Sequence, residues 1–342
     1  ELEAVWRPIN YSGRFYGPTR LREALRRSMN LVSVRLLLFE TGIGNAVRHI
    51  SKFGFGGAAL PYNGSLALGG GAASPLDMAQ GYGVLANGGR AVRPYVIDAI
   101  YGPDGASLYR AEPAIVCSEC VPDAEPEPIF GGELAEEMTL EEMAEIVNDY
   151  RPDASVSPEL FENVSVAPEA ITPQNAFLIQ DMMRSVVRSG TGVRAWRELQ
   201  RGDLSGKTGT SNDRRDAWFG GFNGDLVAVV WVGYDDDLPL GPGEEGSRTA
   251  LPIWIEYARI ALRGVPENQM PMPEGIVSVL IDRETGCPAR AGQSNVLFEV
   301  FREGHVPECE IIDEVPDIFN DASGIDPEPT EEGQEEEPES LF

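Results

Sequence analysis

The stretch from residue 204 to 234 constrains the fold more than any other part of this chain. Two runs rich in β-branched and aromatic residues, 216–222 and 226–234, flank the pair Asn223-Gly224. An Asn-Gly pair between two such runs is a strong signal of a β-hairpin. With the preceding run 204–210, the sequence predicts a three-stranded antiparallel meander.

Helix boundaries are marked on both sides of this region. Ser74 and Asp77 frame an N-cap, and Asn87-Gly88-Gly89 is a stop signal, which predicts a helix between them. Thr172-Pro173 starts a second helix that extends through Arg188. Its expected apolar face holds Ala176, Ile179, Met183 and Val186. The other predicted elements are helices over 19–29, 31–42 and 250–263 and strands over 93–97, 99–101 and 276–282.

Composition limits the class of protein. The 342 residues are 42% hydrophobic, which is enough for a packed core. The sequence holds no run of 18 apolar residues and no signal peptide, and it starts at Glu1 rather than Met. The expectation is a mature, excised or truncated chain.

The net charge of -28 is concentrated in two segments, 111–170 and 307–342. The rest of the chain is nearly neutral and holds no basic stripe, which argues against a nucleic-acid partner. We interpret 111–170 as an acidic, proline-rich insertion with a short helix near 134–147. The tail 306–342 is expected to be disordered.

The chemical state of the four cysteines has several possible interpretations. Cys117 and Cys120 have the spacing of a local disulfide, a redox pair or half of a zinc site, which Cys287 and Cys309 would complete. No second Cys-x-x-Cys spacing supports zinc, and no βαβ pattern supports redox catalysis. Structural disulfides in an oxidising compartment are therefore favoured over free thiols.

Residues 207–210 form the candidate site. Lys207 is one of only two lysines in the chain; the other is Lys52. Its charge, with the hydroxyls of Thr208 and Thr210, suits a carboxylate and an acyl group, and Gly209 allows a substrate backbone to approach. The simpler alternative is a surface lysine before a turn.

Ser28 and Asn30 lie where one predicted helix ends and the next begins. Such a junction can direct both side chains into one cleft. The alternative is a helix cap, which is a common use of serine and asparagine.

In their order along the chain, these motifs resemble class A, bifunctional penicillin-binding proteins, most closely the 1A type. Lys207-Thr208-Gly209 and Ser28-x-Asn30 match two of the three signatures of the penicilloyl-serine enzymes. The resemblance extends over about residues 1–305 and is carried also by runs 10–13, 17–25, 66–69, 86–89 and 190–192.

The resemblance implies an α+β fold in which helices flank an antiparallel sheet. It implies a D,D-transpeptidase that cross-links D-Ala-D-Ala stem peptides, is inhibited by β-lactams and uses no metal or cofactor. Ser28 would pass a proton to the leaving group, Asn30 would bind the substrate backbone, and Lys207 would supply positive charge. Thr208, Gly209 and Thr210 would bind the substrate, with the N–H of Thr210 in the oxyanion hole.

The third signature, Ser-x-x-Lys, is absent. His49 stands three residues before Lys52, and Leu204 stands three before Lys207. We therefore expect a fragment that forms no covalent penicillin adduct by itself. In the parent protein, a glycosyltransferase domain and a membrane anchor would precede this chain. That protein would act at the periplasmic face of the inner membrane on stem peptides and a lipid-linked precursor.

The predicted organisation has five parts. Residues 1–110 begin the transpeptidase domain without the Ser-x-x-Lys helix, and the insertion follows. Residues 171–265 hold the Lys-Thr-Gly sheet and closing helix, 266–305 an extension, and 306–342 the tail. Two other functions stay open: a D-Ala-D-Ala carboxypeptidase, which would use water as acceptor, and a non-catalytic recognition or scaffold domain.

Overall fold

The computed structural model describes residues 6–55, 60–116 and 165–309. The helices are α1 (Leu21–Arg26), α2 (Asn30–Arg35), α3 (Ile43–Ile50), α4 (Pro75–Ala86), α5 (Pro173–Ser189), α6 (Val193–Leu199) and α7 (Ala250–Ala261). The strands are β1 (Ala99–Tyr101), β2 (Ser107–Arg110), β3 (Ser205–Thr210), β4 (Asp216–Phe222), β5 (Val227–Gly233), β6 (Ile276–Asp282) and β7 (Val296–Arg302). Shorter π-type or 3₁₀ turns lie at Leu36–Thr41, Ser51–Phe55, Gly64–Leu68 and Asn212–Arg214.

Strands β3, β4 and β5 form the predicted antiparallel meander. Lys207 of β3 is paired with Gly220 of β4, which is paired with Val229 of β5. The turn after β4 is held by Asn223, whose side-chain oxygen accepts the N–H groups of Asp225 and Leu226. Among the described residues, β3 is therefore an edge strand of this sheet.

Helices cover both faces of this sheet, which confirms the α+β class. Phe219 and Trp254 of α7 belong to one buried cluster, with ring centroids 5.1 Å apart. Phe222 points to the other face, where it packs in a cluster with Val84 of α4 and Met183 of α5. The alternation of side chains along β4 thus joins two cores through a single strand.

The predicted caps of α4 and α5 are confirmed. Ser74 and Asp77 form a reciprocal capping box at α4, and the Thr172 side chain accepts the N–H of Asn175 at α5. One expected core position of α5 is wrong: Ile179 is 37% exposed, whereas Ala176 is fully buried. Ile179 therefore lies at the edge of the apolar face.

Two other predictions are corrected, and one strand was not predicted. The helix expected over 19–29 is only α1, and the residues 93–97 form no strand. Tyr95 and Val96 are both exposed, and no strand among the described residues pairs with this run. Strand β7 was not predicted; it pairs with β6 along its whole length.

The hairpin of β6 and β7 is tied to the helices by a buried charge network. Glu299 of β7 accepts hydrogen bonds from Arg20 at 3.2 Å and from Arg22 of α1. Arg22 also forms an ion pair at 2.5 Å with Asp181 of α5. A disulfide between Cys287 and Cys309 closes the end of this region, so these two are not zinc ligands.

The ends of the predicted insertion meet. Ile115 and Val166 form a parallel bridge, and the N–H of Ala167 donates to Ile115 O at 2.9 Å. Cys117, Cys120, the helix expected near 134–147 and most of the acidic tail lie outside the described residues. Among the helices that the structure describes, none is both long and apolar enough to cross a bilayer.

Candidate active site

Ser28 occupies a tight turn between α1 and α2, as the sequence predicts. Its φ of 55° lies in the left-handed region, which non-glycine residues rarely adopt. The turn is closed by Ser28 N–H to Leu25 O at 3.1 Å and by Met29 N–H to Ala24 O at 2.9 Å. The backbone is thus held in a costly conformation that directs the Ser28 side chain toward the sheet.

Lys207 extends from β3 toward this turn. Its Nζ donates to Ser28 Oγ at 2.7 Å and to the carbonyl of Thr208 at 2.8 Å. Burial of the ammonium lowers the pKa of Lys207 from 10.5 to about 8. Because desolvation disfavours the charged form, the amine can gain and lose a proton near neutral pH.

A cavity of about 750 Å³ runs along this strand. Residues 207–211 line it on one side, and Tyr82 of α4 with the indoles of Trp218 and Trp231 line it on others. The two indole rings lie 6.0 Å apart, and Trp231 Nε1 donates to Asp216 at 2.9 Å. Mostly apolar walls around a few polar groups are typical of a small-molecule site.

The two threonine hydroxyls are held by different neighbours. Thr208 Oγ1 lies 2.8 Å from Thr191 Oγ1, in the loop after α5. Thr210 Oγ1 accepts the N–H of Gly246 at 3.1 Å. Each hydroxyl therefore has a fixed position and retains further hydrogen-bonding capacity toward a ligand.

Asn30 is the first residue of α2, two positions after Ser28. Its Nδ2 donates to Ile9 O at 3.0 Å, which holds the loop before α1. The structure brings Ser28 directly to Lys207, whereas the side chain of Asn30 bonds to this loop.

Several residues of the site were not singled out from the sequence. Gly246 is separated from Thr210 by two strands, so spacing gave no signal for it. Thr191 lies in the run 190–192, which contributes to the family resemblance but was assigned no function. Trp218 and Trp231 matched the β pattern, and only their pairing across β4 and β5 brings them together.

The arrangement lacks the elements of a metal centre in the part of the chain that is described. No group of three or more His, Cys, Asp or Glu there could hold a metal ion. What the geometry offers is an amine that titrates near pH 8, beside a serine hydroxyl and a strand edge with threonine hydroxyls. These groups suit proton relay and the binding of a carboxylate.

Comparison with known proteins agrees with this geometry. The family described as "Penicillin binding protein transpeptidase domain" matches residues 3–237. Penicillin-binding protein 1A of Pseudomonas aeruginosa is 41% identical over 315 residues, which are 92% of this chain and 38% of that protein. The protein of the same name from Escherichia coli is 35% identical over 91% of this chain and 39% of its own length.

A solved structure is also similar. Penicillin-binding protein 1A from Haemophilus influenzae gives a TM-score of 0.70 at 32% identity, covering 89% of this chain and 43% of that one. The chain thus spans about two fifths of the length of the relatives that it matches. With the family profile matching well over half of its residues, the chain belongs to the penicillin-binding protein transpeptidase family.

Proposed function

We propose that this chain supplies the substrate-binding part of a serine-type peptidoglycan D,D-transpeptidase that β-lactams inhibit. The observation that carries the proposal is the 2.7 Å hydrogen bond from Lys207 Nζ to Ser28 Oγ, beside a cavity lined by the Lys-Thr-Gly strand. Family membership supports the reaction class. The substrate is the D-Ala-D-Ala end of a stem peptide, and an amine of a second stem peptide completes the cross-link.

The strand β3 binds the substrate's carboxylate in this proposal. The hydroxyls of Thr208 and Thr210 donate to the carboxylate, and the N–H of Thr210 donates to the developing oxyanion. A side chain at Gly209 would bring its Cβ to 3.0 Å from Trp218 Cβ. Glycine therefore keeps this part of the strand accessible to a substrate backbone.

Ser28 and Lys207 move the proton. The Lys207 amine, with its pKa near 8, takes up and returns a proton through the Ser28 hydroxyl, which delivers it to the leaving amine of D-Ala. Asn30 binds the backbone of the substrate. Its bond to Ile9 uses one N–H, so the amide still offers Oδ1 and a second N–H.

The nucleophile has to come from a Ser-x-x-Lys sequence, which the 342 residues do not contain. We therefore infer that this chain alone forms no covalent adduct with penicillin. In the whole protein the partner activity is a glycosyltransferase, the substrates include a lipid-linked precursor, and the site faces the periplasm at the inner membrane.

A chimera tests the function. The region of the Pseudomonas aeruginosa relative that precedes the match is joined before Glu1, and the product is treated with fluorescent penicillin. We expect labelling of the chimera, none of the 342-residue chain, and loss of labelling in Lys207→Ala. The matched control is Lys52→Ala, which removes the other lysine of the 342-residue part, from a different cavity.

Product analysis then separates the reaction types. Cross-linked dimers formed from stem peptides support the transpeptidase, whereas D-Ala release without dimers would indicate a carboxypeptidase. Equal labelling of the Lys207→Ala and Lys52→Ala chimeras would refute the site, and an intact-mass shift of one penicillin on the chain alone would refute the missing nucleophile.

A further inference from the structure

A run of hydrogen bonds crosses from the α2 side of the site to the sheet through residues that have no role in the proposed mechanism. At the helical end, Asn30 Nδ2 donates to Ile9 O at 3.0 Å, and the N–H of Leu31 donates to Asn10 Oδ1 at 3.1 Å. Asn10 is almost fully buried, with 4% of its surface exposed. The segment around Tyr11 is therefore fixed to the N-terminus of α2.

The middle of the run is a contact between distant parts of the sequence. Tyr11 Oη donates to Glu245 Oε1 at 2.5 Å, across 234 positions. Arg214 donates from Nη2 to the same Tyr11 oxygen at 3.4 Å, and its Nε lies 3.8 Å from the Glu245 carboxylate. Although Tyr11 is 73% exposed, its hydroxyl thus accepts from a cation and donates to an anion, so both hydrogen bonds involve a charged group.

The sheet end of the run reaches the Lys-Thr-Gly strand. Glu245 is followed by Gly246, whose N–H donates to Thr210 Oγ1 at 3.1 Å. A Cβ on Gly246 would lie 2.4 Å from the carbonyl oxygens of both Gly209 and Trp218. The 245–246 segment therefore lies directly against the end of β3, where Thr210 and Ser211 line the cavity.

The loop that carries Arg214 has an unfavourable backbone conformation. Asp213 and Arg214 have φ values of 57° and 55°, so two consecutive non-glycine residues adopt the left-handed region. Backbone of this kind persists only where surrounding contacts hold it, and it concentrates at functional sites. Arg214 O accepts the N–H of Leu240 at 2.8 Å, which fixes the loop on its other side.

We propose that Tyr11, Glu245 and Arg214 are positioning residues that form a clasp between α2 and β3. The clasp sets the spacing between Asn30 and Thr210, which in the proposed function hold the backbone and the carboxylate of one substrate. A fixed spacing favours ligands that present both groups at the separation that the clasp maintains. This role rests on the proposed function for the ligand and for the parts of it that Asn30 and Thr210 hold.

The two ends of the clasp each carry an amide proton that reports on it, Leu31 N–H and Gly246 N–H. Hydrogen exchange at these amides is measured in the complete 342-residue chain. We expect Tyr11→Phe to accelerate exchange at both by about three- to tenfold, as loss of one hydrogen bond does to a local opening equilibrium. The matched control is Tyr16→Phe, which removes a hydroxyl bonded within the same loop, to Ser12 Oγ at 2.9 Å.

Substitutions at Glu245 sharpen the test. Glu245→Ala should accelerate hydrogen exchange at both amides, as Tyr11→Phe does, and Glu245→Gln should accelerate it less. The variant that combines Tyr11→Phe with Glu245→Ala should exchange no faster than either single variant. Acceleration at Leu31 alone, or an equal effect of Tyr16→Phe, would overturn the clasp, because a local role moves only one end. These hydrogen-exchange rates are measured without penicillin. A negative result for the clasp therefore leaves the proposed function intact, and a negative labelling result leaves the clasp intact.

Discussion

Lys207 Nζ donates to Ser28 Oγ at 2.7 Å, although 179 positions separate the two residues. Lys207 lies on the edge strand of the meander, and Ser28 lies in the turn between α1 and α2. Their bond therefore joins the sheet to the turn between two short helices. Its strength depends on the protonation state of an amine that burial has made easier to neutralise.

The pH dependence of folding should report this amine. In the folded chain the pKa of Lys207 is lowered from 10.5 to about 8, so between these values the unfolded chain binds more protons and stability rises with pH. Below pH 8 both states are protonated and the full cost of burying the charge, on the order of 3 kcal/mol, is present. Urea unfolding of the wild-type chain should show this rise, and Lys207→Met should not.

Nuclear magnetic resonance supplies a direct check, because two lysines give two ε-amine signals. Lys52→Arg assigns them, and the Lys207 signal should titrate with a midpoint near 8. The urea comparison is made below pH 10, because burial raises the pKa of Tyr82 to about 12. Above pH 10 the unfolded chain loses a tyrosine proton that the folded chain keeps, so stability falls with pH there. A Lys207 midpoint near 10.5 would contradict the prediction.

The left-handed backbone of Ser28 predicts an order of stability between two variants. Ser28→Ala and Ser28→Gly both remove the hydroxyl that Lys207 reaches, but only glycine relieves the strain at φ 55°. We expect the glycine variant to be more stable than the alanine variant by about 1 kcal/mol in urea unfolding. An equal or reversed order would show that the turn is not strained.

Glu299 should matter far more for stability than an exposed glutamate. Removing it leaves Arg22 buried with only part of its charge balanced, and losing one partner of a buried pair costs about 3 kcal/mol or more. Thermal unfolding of Glu299→Ala measures this loss. Glu198→Ala breaks exposed ion pairs with Arg194 and Arg259 and should not change the unfolding midpoint measurably.

Gly246 should not accept a methyl group. A Cβ there would lie 2.4 Å from two backbone oxygens that the sheet holds in place, so Gly246→Ala should destabilise the chain by about 2 kcal/mol. Gly83→Ala is the control, because its Cβ meets only Val92, at 3.8 Å, within helix α4. That substitution should stabilise the helix slightly.

Elements with a local cause were predictable from the sequence. The Asn223-Gly224 turn, the capping box of Ser74 and Asp77, and the Thr172 cap each act within a few residues, and the structure confirms all three. The run 93–97 was wrong for the complementary reason. Its residues favour a strand, but propensity forms no strand without a partner to pair with.

Contacts between residues far apart in the sequence could not be predicted from it. The bond of Arg22 to Glu299 spans 277 positions, and neither residue stands in a pattern that marks a partner. The same is true of Gly246 and Thr210, and of the pairing of Cys287 with Cys309. The positions of Ser28 and Lys207 were predicted through resemblance, whereas their contact required the folded chain.

The bridge between Ile115 and Val166 makes the segment between them exchangeable. Two adjacent extended backbones lie about 5 Å apart, so any peptide whose ends meet at that distance can replace it. The entropic cost of closing such a loop grows by only about 0.6 kcal/mol for each doubling of its length. A fluorescent protein or an epitope whose two ends lie close together could therefore be inserted at this junction.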